Sequence, residues 1–150
     1  MIIILYEIED MLIKQISVFV ENKFGRVAKI IELLGENNIN ISALSIADTT
    51  DFGILRLIVD KSDEAVEILK ASGVMAKCTN VIAVAIDDQP GGLSSVLKIV
   101  SDAGIGIEYM YAFLGRKAGK ALMVLKADNM DAAIKVLTEH NVEIVTQSEI

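Results

Sequence analysis

Two stretches decide how this chain folds: ENKFGRVAKIIELLGENNINI, residues 21–41, and DDQPGGLSSVLKIVSDAGIGI, residues 87–107. Few letters coincide. The layout, however, returns after 66 positions: Gly25 meets Gly91, Ile41 meets Ile107, and Val27, Ile30, Ile31 and Leu34 meet Leu93, Val96, Leu97 and Val100. Spacing that recurs without its letters points to a repeated structural unit.

The flanks extend the repeat. Lys14–Val20 and Val81–Ile86 alternate with period two, as half-buried strands do. The apolar offsets 0, 3, 4, 7 that follow each glycine form the stripe of an amphipathic helix. Asn38 and Gly104, just beyond those helices, are residue types that tolerate the left-handed conformation ending a helix. Two further strands follow in each copy, Ile41–Ala47 with Ile54–Val59 and Ile107–Leu114 with Ala121–Lys126. Gly53 and Gly119 keep the 66-residue offset, which predicts turns of equal length. The second helices carry Ala65, Val66, Ile68, Leu69 and Ala133, Ile134, Val136, Leu137, now 68 apart, so two residues are expected to be inserted near Lys126–Asn129. Gly73 and Asn141 close these helices before last strands starting at Val74 and Val142. Each half reads βαββαβ, the ferredoxin-like plait, an α+β fold with two helices on one face of a four-stranded antiparallel sheet. The expected organisation is an appendage over residues 1–10, a first domain over 11–79 and a second over 80–150. Only Thr79–Val81 separates the halves, so they are expected to pack as one pseudo-symmetric pair. Residues 1–10 would add a strand or reflect an upstream start, because Met11 directly precedes the first repeat.

Bulk properties exclude several classes. A 53% hydrophobic composition with one Pro rules out a disordered chain. No apolar run reaches the about 18 residues of a membrane span, which leads us to expect a soluble protein. The net charge of −7 divides into −3, −1 and −3 over residues 1–10, 11–79 and 80–150. Neither half could neutralise a phosphate backbone, so nucleic acid and anionic membranes are not expected partners. The single cysteine, Cys78, excludes an internal disulfide framework, fits a reducing cytoplasm and is expected to be a buried small hydrophobe.

Catalytic groups are sparse. The one histidine, His140, sits at a helix end where a cation is unremarkable, and no His/Cys/Asp/Glu spacing suggests a metal. Asp51-Phe52-Gly53 spells a kinase triplet without the rest of that signature. Residues Asn22–Val27 are more informative. Gly25 lets the backbone approach a ligand, the N–H groups that open the helix suit a carboxylate, and the Asn22 amide can serve a carboxylate or an ammonium. Asn40, opening the second strand, is expected nearby. In the second copy Tyr109, Tyr111 and Phe113 share a face, replacing Ala43, Ser45 and Ala47.

The βαββαβ plan, with ENxxGRV entering an amphipathic helix and INI opening strand two, resembles the ACT domain, a small amino-acid-sensing module. The resemblance covers residues 11–150 as two copies, and through ALSIADTTDFGILR and IEYMYAF the chain is similar to free-standing tandem ACT proteins. It implies no catalysis, no cofactor and binding of a small amino acid at an inter-domain interface. The contacts carried over are Asn22, Lys23, Phe24, Gly25, Arg26, Val27 and Asn40. Asp88 replaces Asn22 and Gly106 replaces Asn40 in the second copy, where Gly91, Gly92 and Leu93 keep an open helix start and Tyr109 and Tyr111 offer a wall. The expected function is that of a cytoplasmic regulatory protein, signalling allosterically within a homodimer or to a metabolic enzyme. The alternative is an assembly subunit whose pocket is vestigial.

Overall fold

The structure, a computed structural model, describes residues 8–48 and 51–150. The chain separates into two compact units, one formed by Lys14–Thr79 and the other by Asn80–Ile150 together with residues 8–13.

The first unit contains β1 (Ile13–Glu21), α1 (Arg26–Glu36), β2 (Ile41–Asp48), β3 (Phe52–Val59), α2 (Ser62–Ala71) and the start of β4 (Ala76–Asp87). Its strands lie in the order β4–β1–β3–β2. Both β1 and β2 run antiparallel to β3, with Ile16 and Leu44 each opposite Leu57. Alternation sends Ile16, Val18 and Val20 to one face, where they meet Leu55, Leu57 and Val59 and the helix residues Ile30, Leu34, Ala65 and Leu69 in one core.

The second unit repeats this with the rest of β4, α3 (Gly92–Asp102), β5 (Ile107–Lys117), β6 (Lys120–Ala127), α4 (Met130–Glu139) and β7 (Glu143–Val145). Its strand order is β7–β4–β6–β5. Ile82, Val84 and Ile86 pack with Leu125, Val96, Val100, Ile134 and Leu137. Ile8, Met11 and Leu12 pack against this core, and residues 8–10 form a helical turn. The remainder of the expected appendage, residues 1–7, lies outside the described residues.

All four expected helix stops are in place. Asn38, Gly73, Gly104 and Asn141 adopt φ of 59°, 80°, 75° and 59°. After each, an N–H reaches back five residues to a helix carbonyl: Ile39 to Leu34, Val74 to Leu69, Ile105 to Val100 and Val142 to Leu137, at 2.9–3.2 Å. Four orphan carbonyls are satisfied in the same way.

The structure corrects three expectations. The two-residue insertion is not near Lys126–Asn129. Leu57, opposite Ile16 and Leu44, has Leu125 as its counterpart, opposite Ile82 and Met110, so the 68-residue offset already holds at β6. The extra residues enter the β5–β6 hairpin, where the register shifts between Ala112 and Arg116. The turns are therefore unequal, and Gly53 and Gly119 are not equivalent. Gly53 is a strand residue opposite Val20, while Gly119 turns the hairpin at φ 75°. Thr79–Val81 is no linker, because β4 runs unbroken through it. Finally, Cys78 is exposed; β4 is the edge strand of the first unit, and Ala76 is the β4 residue that joins its core.

Gly92 has a steric reason to be glycine, since a Cβ there would lie 2.0 Å from the Asp87 carbonyl oxygen. Gly35, on the exposed side of α1, would place a Cβ in open space. Gly92→Ala should destabilise by about 1–3 kcal/mol, as overpacking does. Gly35→Ala should stabilise by about 0.5–1 kcal/mol. Urea unfolding of both variants checks the pair, and equal effects would contradict the close approach at Asp87.

Candidate functional site

The strand-to-helix turns of the two units match bond for bond. In the first, the N–H groups of Asn22, Lys23, Arg26 and Lys29 donate to the carbonyls of Asp51, Glu21, Lys23 and Gly25 at 3.0, 2.7, 3.3 and 3.1 Å. In the second, Asp88, Gln89, Gly92 and Ser95 donate to Gly119, Asp87, Gln89 and Gly91 at 3.2, 2.9, 3.0 and 3.0 Å. Gly25 and Gly91, at φ 80° and 88°, occupy the N-cap positions, and being glycines they contribute no capping side chain.

Behind each turn lies a cleft bounded by the first helix and by the segment following the second. The cleft of the first unit, about 490 Å³, has an apolar floor of Val20, Ile30, Leu33 and Val74. Arg26 and Lys29 supply positive charge, and Glu21, Glu32 and Glu36 negative charge. The counterpart in the second unit, about 540 Å³, keeps the floor as Ile86, Val96, Ile99 and Val142. Its polar lining differs. Gly92 and Ser95 stand where Arg26 and Lys29 stand, and His140 where Ser72 stands. The His140 ring turns inward on its own helix, with Nδ1 2.8 Å from the Val136 carbonyl oxygen.

Electrostatics mark the first turn. Glu21 Oε2 lies 3.0 Å from Lys23 Nζ and 3.8 Å from Arg26 Nη2. The Lys23 hydrogen bond and charge, then the Arg26 charge, hold the Glu21 carboxyl below its ordinary range. In the second unit Asp88, expected as a partner for an ammonium, is paired with Arg116 at 3.0 Å.

The residues singled out from the sequence are only partly brought together. Of the first turn, Arg26 lines the cleft, while Asn22, Lys23 and Phe24 are exposed beside it and Val27 packs on the core. Gly91 and Gly92 line the second cleft, and Leu93 packs on the second core. Tyr109 and Tyr111 lie on β5 opposite Lys126 and Val124, and Tyr111 is buried. Asn40 is a correction. Because β1 and β2 are both antiparallel to β3, they are parallel to each other, and the start of β2 lies at the opposite end of the sheet from the end of β1. The Asn22 N–H bonds Asp51, before β3, whereas the Asn40 N–H bonds the Asp60 side chain, after β3, at 3.0 Å. Eight strand residues separate these ends, roughly 27 Å at the usual rise. Lys29, Leu33 and Glu36 were missed. Their signal was the spacing of Arg26, Lys29, Leu33 and Glu36, a helical stripe beside the core stripe.

Among the described residues, no group of three or more His, Cys, Asp or Glu could hold a metal ion, and no helix is long and apolar enough to cross a membrane. Comparison with known proteins matches residues 11–150 to the ACT domain pair family. No curated protein matches the chain. A crystallised protein from Bacteroides thetaiotaomicron is 41% identical, with a TM-score of 0.87 and coverage of 93% of this chain and 95% of that one. The ligand-free regulatory subunit of aspartate kinase from Thermus thermophilus is 18% identical, with a TM-score of 0.62 over 87% and 93% of the two chains. The same subunit from Thermus flavus is 16% identical, with a TM-score of 0.57 over 87% and 93%. At these identities the Thermus proteins establish a shared fold.

The Glu21 cluster has a pH signature. A carboxyl lowered on folding contributes stability that is present above its unfolded value, near 4.3, and lost as pH falls through the folded value. The Glu21→Gln variant should therefore lose a part of the acid dependence of Tm, with the two curves converging at the acid end. Parallel curves between neutral and acid pH would show that the pairing contributes nothing.

Proposed function

This chain belongs to the ACT domain pair family, and on that footing we propose that it is a non-catalytic regulatory protein that binds a small free amino acid in the cleft of its first unit. The observation that carries this reading is the lining of that cleft, with cations and carboxylates on one helix above an apolar floor. A free amino acid presents the same three chemistries. Arg26 offers a planar fork that matches a carboxylate, and Lys29 adds a second positive charge. Glu32 and Glu36 accept from the ammonium group. Val20, Leu33 and Val74 face a small apolar side chain. Asn22, on the turn, is an auxiliary donor. The second cleft retains the floor but has Gly92 and Ser95 in place of Arg26 and Lys29, and its own cation, Lys120, is already paired with Asp87, which supports one main site per chain.

Regulation would follow by linkage. A ligand favours whichever arrangement of the chain binds it better, and a partner that distinguishes the arrangements responds. The fold likeness to regulatory subunits of aspartate kinase supports a metabolic enzyme as that partner.

Thermal-shift measurement with each of the twenty amino acids tests the reading. A true ligand at 100 times its Kd should add about 2.7 kcal/mol of stability. Arg26→Ala should weaken its binding by about 1–3 kcal/mol, while Ser95→Ala in the second cleft leaves it unchanged. If no amino acid shifts the transition, the cleft is not a sensor and the chain serves assembly instead. Undiminished affinity in Arg26→Ala would move the site elsewhere.

A further inference from the structure

The first cleft holds a carboxylate of its own beside the cation that the amino-acid reading assigns to a ligand. Glu21 ends β1 and lines the cleft together with Arg26, the first residue of α1. One oxygen of Glu21, Oε2, is shared between two cations at unequal distances, 3.0 Å from Lys23 Nζ and 3.8 Å from Arg26 Nη2. The nearer cation is exposed on the turn, beside the cavity. Arg26, within the lining, is therefore held by the looser of the two contacts.

The second unit supplies an internal control. Asp87 stands where Glu21 stands, and it pairs with Lys120, its antiparallel neighbour on β6. Gln89 and Gly92 occupy the places of Lys23 and Arg26. An acid at this position is thus fixed by a strand neighbour in one unit and shared between two turn cations in the other. The fold does not require the sharing.

Resting on the amino-acid reading of this cleft, we propose that Glu21 is an internal competitor for the carboxylate of the ligand, engaging Arg26 until an amino acid binds and then passing to Lys23 alone. Both anions seek one guanidinium. A ligand carboxylate can meet its fork with two oxygens, which a single oxygen at 3.8 Å does not. Lys23 keeps the exchange near balance, because Glu21 retains its shorter contact and no carboxylate is left unpaired when Arg26 changes partner. The Lys23 hydrogen bond and charge, then the Arg26 charge, hold the Glu21 carboxyl low, so the competitor stays ionised at neutral pH. Its effect is on the threshold of the sensor. A protein whose binding-competent form is only part of the population shows a weaker apparent affinity in proportion, and so responds at a higher ligand concentration. The Glu21, Arg26 and Lys23 side chains are 47%, 53% and 67% exposed, which keeps the expected effect to a few-fold.

Calorimetric titration of the full chain with L-valine tests it, with L-valinamide as the analogue that lacks a carboxylate. Glu21→Gln keeps the shape of the side chain and removes its charge, and should tighten L-valine by about two- to fivefold without tightening L-valinamide. Lys23→Ala leaves Glu21 to Arg26, and should weaken L-valine by a similar factor. In the Glu21→Gln background Lys23→Ala should have no effect, which separates an exchange of partners from a general change in charge that would act equally in both backgrounds. The opposite sign of Lys23→Ala also carries the test where Glu21→Gln does not fold. L-valine affinity that is unchanged or weaker in Glu21→Gln, an equal gain for L-valinamide, or a Lys23→Ala effect that persists in the Glu21→Gln background would overturn the competitor and leave the cleft as an amino-acid site. Failure of both the wild type and Glu21→Gln to bind L-valine would overturn the reading of the cleft as a site for a small apolar amino acid, and the competitor with it.

Discussion

Six of the seven left-handed residues among the described ones stand where a helix begins or ends, and they hold this chain in shape. Gly25 and Gly91 turn a strand into a helix, and Asn38, Gly73, Gly104 and Asn141 turn a helix back toward a strand. Only glycine and asparagine enter that region at low cost. Each helix consequently has a fixed length of ten or eleven residues, which sets where its apolar stripe meets the sheet. The clefts depend on the same constraint. Each opens between a helix entered through a glycine and a segment that leaves the second helix through Gly73 or Asn141, and both of those residues are in the linings.

Much of this was legible because it is local. A helix stop is one residue type at one place, and a core stripe is a spacing of three and four. What was not legible depends on strand direction and register. Asn40 was expected beside Asn22 because both open or close neighbouring elements, yet α1 carries the chain back to the other end of the sheet before β2 begins. The two inserted residues were misplaced because Gly53 and Gly119 happen to lie 66 apart. Their conformations differ, and only the pairing of Leu57 and Leu125 with their neighbours reveals it. The cleft escaped notice for a different reason. Arg26 stood out only as part of the turn, and Lys29, Glu32 and Glu36 read as an ordinary solvated helix face until the Ser72–Val74 segment is placed against them.

The repeat has kept its skeleton and changed its surface chemistry. Turn hydrogen bonds, helix stops and cleft floors agree position by position. The charged lining has diverged, in favour of the first unit. Exposed positions of one copy can vary at small cost, since surface substitutions mostly change stability by less than about 0.5 kcal/mol. The divergence is therefore where function should be sought.

The most direct test of this account is an amide chemical-shift map of the isotope-labelled full chain titrated with the amino acid that stabilises it. The account predicts saturable shifts concentrated at Glu21–Glu36 and Ser72–Val74, with Asp87–Ile99 and His140–Glu143 much less affected at the same ligand concentration. Equal, independent shifts at the two clefts, or shifts confined to the second, would contradict the claim that the first unit carries the binding site.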